Sequence, residues 1–128
     1  MARDRLIRLL AALPGVLMLI NGIGFVVDPA GAAEGLGMPL LDGLARSTQV
    51  GDFTSFFVAC AIFVFLGAAL RSWQWLGAGA ILLGLAALFR TTAALFHGAE
   101  FATQFIIAEL IMAAWLAGFA IWFARTPR

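Results

Sequence analysis

Polar residues fall in clusters along this chain, and the stretches between the clusters are almost wholly apolar. Crossing a hydrocarbon core takes roughly 20 mostly apolar residues in a helix. Four stretches qualify: 9–27, 53–70, 73–96 and 101–123. The pattern predicts an all-α integral membrane protein, a four-transmembrane-helix up-down bundle that uses 1–128 as a single membrane domain.

The connections differ in kind. Only Arg71 and Ser72 separate the second and third spans, so those helices are antiparallel neighbours. A short turn at His97-Gly98-Ala99-Glu100 joins the third and fourth. The first connection is longer, from Asp28 to about Gly51. There Asp28 is placed to N-cap a short helix with Pro29 at its first position. Its mixture of Leu and acids suits a segment lying in the interface as a lid over the helix ends.

Composition supports the membrane reading. Residues of the set AVILMFWYC make up 63% of the chain, and there are 14 glycines besides. Soluble domains reach about 45–50% with glycine counted in. A soluble protein this small has too little polar surface to cover such a core. Net charge is +1, and no basic run is interleaved with aromatics, which leaves no nucleic-acid face. The single cysteine, Cys60, lies in an apolar run and reads as a small hydrophobe. It excludes an intrachain disulfide and a Cys-rich zinc site, and one His with scattered carboxylates makes no metal site.

All eight basic residues are Arg. With four spans, Arg3, Arg5, Arg8, Arg71, Arg125 and Arg128 fall on one side, and Arg46 falls on the other with Asp28, Glu34, Asp42 and Glu100. The positive-inside rule then puts both termini in the cytoplasm, with Trp73, Trp75 and Trp122 at that boundary. The first span also resembles a signal peptide, with Ala30-Gly31-Ala32 as a cleavage site. Its apolar run exceeds the usual 7–15 residues, roughly, and holds Pro14 and Asn21, which reads as a retained helix.

Ionisable groups at membrane depth are costly and by default mark function. Arg90 lies roughly 10 Å below the outer end of the third span, Glu109 roughly 12 Å down the fourth, and Asn21 roughly 10 Å down the first, at about 1.5 Å per residue. Asp52 opens the second span from the same side. The expected arrangement is an Arg90–Glu109 ion pair with Asp52 competing for the same guanidinium. His97 shares a face with Arg90, and Gln104 and Phe105 lie near Glu109. The cluster is either a ligand site open to the outer face or a structural pin that sets helix register. Gly77, Ala80, Gly84 and Ala87 on the third span, with Ala113 and Ala117 on the fourth, form small-residue stripes that predict close packing of these two helices.

Three segments carry a resemblance: Leu85-Ala86-Ala87-Leu88-Phe89-Arg90, His97-Gly98-Ala99 and Ala108-Glu109-Leu110. They resemble the second half of small bacterial membrane proteins grouped as domain of unknown function 4345. Arg46 to Phe53 looks like that family's approach to its second span, except that Gly51-Asp52 stands where the family often has paired glycines. More loosely, the layout is similar to DoxX-type four-helix proteins, some of which are tied to quinone or thiol redox work. The resemblance implies a bacterial cytoplasmic membrane location and no defined activity.

Three functions compete. One is a binding module whose outer-half pocket takes a small amphiphile, lipid or quinone head group. Another is an accessory or assembly subunit of a larger membrane complex. The third is a small proton-coupled transporter working as a dimer, against which the neighbouring Arg holds Glu109 ionised. No Ser-His-Asp set, phosphate loop or metal cluster supports an enzyme. No cofactor is predicted beyond a bound lipid or quinone, and the partners left open are the bilayer, a second copy and a larger complex.

Overall fold

A computed structural model describes residues 1–126. Arg128, one of the arginines assigned to the inner side, lies outside the described residues. Helix α1 spans Ala2–Val27, α2 Pro29–Gly35, α3 Gly43–Leu70, α4 Trp73–Phe96 and α5 Thr103–Arg125. The four long helices are each long and apolar enough to cross a membrane, and together they form a four-helix membrane bundle.

Helix ends fall where local chemistry puts them. Asp28 caps α2, its Oδ1 accepting from the Gly31 amide at 3.1 Å, with Pro29 in the first turn as the sequence predicts. Gly98 adopts a left-handed φ of 67° after α4, which lets the Ala99 amide reach back to the Ala93 carbonyl at 3.2 Å.

Two boundaries differ from the sequence reading. Helix α1 starts at Ala2 rather than near residue 9, and α3 starts at Gly43 rather than near residue 53. Hydropathy marks where a helix becomes apolar, not where its hydrogen bonds begin. The polar first turns of α3 hold no proline, and Arg46 pairs with Asp42 at 2.9 Å. The first connection is therefore a short helix and a seven-residue loop, 36–42.

The bundle is built from two pairs. Helix α1 packs along α3 and α4 packs along α5, while α3 meets α4 less extensively and α1 meets α5 less still. The pairs join near the Arg71-Ser72 turn. A Cβ added at Gly67 would lie 2.6 Å from Leu76 Cδ2 and 2.8 Å from the Leu76 backbone nitrogen, so only glycine permits this approach. One level further in, Gly79 sits against Val64 and Leu116, and Val64, Leu76 and Leu116 are fully buried.

The close packing of α4 on α5 is as expected, but the stripe that makes it is not. A Cβ at Gly77 or Gly84 would meet nothing within 4 Å. The buried face of α4 is Leu76, Gly79, Leu83 and Ala87, rotated from the predicted one and sharing only Ala87 with it. Large side chains at 76 and 83 fill the space that the small residues were expected to close.

Pro14 lies inside α1 without interrupting it. Proline has no amide proton, so the Leu10 carbonyl four residues earlier loses its helical donor. The indole of Trp115 on α5 supplies one, with Nε1 donating to Leu10 O at 2.8 Å. In lipid no water can serve that carbonyl, so the contact completes α1 from outside.

The start of α1 and the end of α5 share one end of the bundle with the α3–α4 turn. Arg71 holds a left-handed φ of 50° there. Its guanidinium contacts the Asp4 carboxylate, donates to Thr126 Oγ1 at 3.0 Å and covers the Phe123 ring at 4.9 Å. Arg8 also pairs with Asp4, at 2.8 Å. This clasp ties α1, the turn and α5 together at the Arg-rich end.

Candidate functional site

Away from the turn the two helix pairs separate, and a cavity of about 740 Å³ opens between them. Its walls are mostly apolar. Phe53, Phe56 and Phe57 line it from α3, with Phe53 and Phe57 stacked on buried Phe25 at 5.5 and 6.1 Å. Met18 faces it from α1 and Met112 from α5. Leu17, Leu85 and Phe89 line it too, yet are 48%, 42% and 61% exposed. Residues at mid-height that are both lining and exposed make the cavity open through the side of the bundle.

The polar groups converge in one part of this cavity. Asn21, Arg90 and Glu109 each lie about six residues, or roughly 9 Å, inside the end of their helix. All three line the cavity, as does Asp52. Arg90 Nε donates to Glu109 Oε1 at 2.9 Å, and the guanidinium carbon sits 4.9 Å above the Phe105 ring. The ring therefore supports the guanidinium from below while Glu109 holds one edge. The Arg90 terminal nitrogens donate to no group among the described residues. Glu109 is 9% exposed, and its Oε2 is enclosed without a donor among those residues.

Three expectations need correction. Asp52 does not compete for the guanidinium: it makes no ion pair among the described residues and is exposed at the cavity rim. The longer α3 places Asp52 about nine residues inside the helix, at an exposed position on the cavity wall. His97 is the exposed C-cap of α4 and lies outside the cavity lining. Gln104 is exposed in the first turn of α5 and also lies outside it. Asn21 is placed as expected, but its amide is used locally, Nδ2 donating to Leu17 O at 2.9 Å.

Gln49 is the residue that sequence reasoning passed over. It is 4% exposed in α3. Its Oε1 accepts from the Leu41 amide at 2.9 Å, and its Nε2 donates to the Pro39 carbonyl at 3.0 Å. These bonds strap loop 36–42 to α3, and Leu36 and Met38 at its start border the cavity with Gly35, the last residue of α2. A single polar residue in a stretch read as loop gave no signal that it was buried. Among the described residues no group of three His, Cys, Asp or Glu side chains is arranged to hold a metal.

No protein-family model, curated protein or solved structure matches the chain. The site has to be understood from its own geometry.

Proposed function

We propose that the chain is a membrane-embedded binding protein, and that the cavity between the α1/α3 and α4/α5 pairs takes the head group of a small amphiphile. The observation that carries this reading is the meeting, in one largely apolar cavity of about 740 Å³, of a guanidinium with unengaged terminal nitrogens and a buried carboxylate. A concave apolar site with a few convergent polar groups is the usual form of a small-ligand pocket. The side opening at Leu17, Leu85 and Phe89 favours a ligand that arrives within the bilayer. A quinone or lipid head meets both requirements.

The Arg-rich end, with Arg3, Arg5, Arg8, Arg71 and Arg125 beside the termini and the α3–α4 turn, supports a cytoplasmic location for that end. The pocket then opens in the outer half of a bacterial cytoplasmic membrane. An assembly subunit is the competing reading, favoured by the fact that the Arg90–Glu109 contact bridges α4 and α5, which already pack closely.

Native mass spectrometry of the protein extracted from membranes tests the proposal. Ala86 lines the cavity, and Ala86→Phe fills part of it without touching the charged pair. The wild type is expected to retain a small amphiphile that Ala86→Phe loses. Equal retention by both, or none by the wild type, refutes the binding reading.

A further inference from the structure

The charges that face the cavity come from three residues on three helices: Arg90 on α4, Glu109 on α5 and Asp52 on α3. Their formal sum is one excess negative charge. Glu34 borders only a neighbouring shallow groove, and His97 and Glu100 face outward. An Arg in a pocket ordinarily points to an anionic ligand. Here Glu109 already neutralises it through Nε at 2.9 Å, and Asp52 adds a carboxylate at the rim.

In surroundings of low dielectric an added anion interacts with all three charges at considerable strength. It gains the guanidinium but meets two carboxylates. A neutral oxygen acceptor takes the same terminal N–H donors without that repulsion.

We propose that the cavity selects a neutral single-chain amphiphile whose head carries a carbonyl, and discriminates against the same chain bearing an anionic head. This rests on the amphiphile-binding reading above and specifies the ligand class. Arg90 is the donor to the carbonyl, Glu109 the carboxylate that neutralises it, and Asp52 the charge that turns anions away at the rim. Phe105 holds the guanidinium so that its terminal nitrogens stay presented to the cavity.

The test uses the full chain in dodecylmaltoside micelles, with tritiated monoolein as the bound probe. Unlabelled monoolein and oleyl phosphate, which share a chain and differ in head charge, compete for it. Monoolein is expected to displace the probe at a concentration lower by on the order of tenfold or more, which corresponds to about 1.4 kcal/mol. Glu109→Gln removes the neutralising charge and is expected to bring the ratio to one or below. Asp52→Asn, at an exposed position with no ion pair among the described residues, is expected to shift it part of the way in the same direction.

The proposal is overturned if oleyl phosphate competes as well as monoolein in the wild type, or if Asp52→Asn leaves the ratio unchanged. Saturable binding of tritiated oleyl phosphate with none of monoolein overturns the head-group preference and leaves the amphiphile site standing. Failure of both probes to bind saturably overturns the amphiphile site itself, and the preference with it.

Discussion

The proline in α1 offers a direct test of how the bundle is held together. Pro14 leaves the Leu10 carbonyl without its helical donor, and Trp115 Nε1 meets that carbonyl at 2.8 Å. Trp115→Phe keeps an aromatic ring and removes the donor that reaches this oxygen. The cost of an unmade bond to a buried carbonyl is about 1–3 kcal/mol in water-soluble proteins. Between membrane helices measured hydrogen bonds average about 0.6 kcal/mol and reach about 1.7. The Leu10 carbonyl belongs at the upper end, because its alternative partner within the helix is covalently absent. A loss of about 1–1.5 kcal/mol is therefore expected from this bond.

Truncating the indole also removes packing, since Trp115 is 40% exposed and lies against Phe119 at 5.6 Å. A double-mutant cycle separates the two contributions. In a Pro14→Ala background the backbone amide restored at that position donates to Leu10 O, so Trp115→Phe then costs only the packing. Stability is read by titrating the folded protein in dodecylmaltoside with sodium dodecyl sulfate and following helicity by circular dichroism. The cost of Trp115→Phe is expected to be larger in the Pro14 background by about 1 kcal/mol. Equal costs in both backgrounds would refute the idea that α5 supplies the donor that proline removed.

Arg90→Met is expected to destabilise more than Glu109→Gln. The first strands a 9%-exposed carboxylate, while after the second the 30%-exposed Arg90 side chain keeps the Phe105 ring and the amide oxygen of the new side chain. The expected costs are about 2–4 and under about 2 kcal/mol, and the reverse order in the same titration counts against the assignment. Gly67→Ala is expected to cost about 1–3 kcal/mol, since its Cβ meets the Leu76 backbone, whereas Gly77→Ala, which meets nothing within 4 Å, costs nothing measurable. Equal stability of the two variants would show that the α3–α4 approach is not tight. Gln49→Ala frees loop 36–42, and hydrogen exchange at the Leu41 amide is expected to quicken by tenfold or more, about 1.4 kcal/mol of lost protection; an unchanged rate would mean the loop is held by other contacts.

Much of this protein was legible in its sequence because the bilayer imposes a coarse rule. Four apolar stretches of sufficient length, separated by polar turns, determine four crossing helices and their alternating direction. The placement of Asn21, Arg90 and Glu109 at similar depths also followed, because rise per residue converts sequence position into height once the helices are known. The Asp28–Pro29 helix start was equally local, a matter of one side chain and the amide three residues on.

What the tertiary structure decided was rotation and pairing. Height says nothing about which way a helix turns, and in lipid there is no hydrophobic contrast between its faces to reveal it. So the buried face of α4 is set by Leu76 and Leu83 fitting against α3 and α5, not by the stripe of small residues, and Asp52 sits at the rim rather than on Arg90. The partner of the Leu10 carbonyl lies 105 residues away, and the strap made by Gln49 depends on a loop folding back. The cavity lies between the two pairs, which Gly67 brings close at the turn by admitting Leu76.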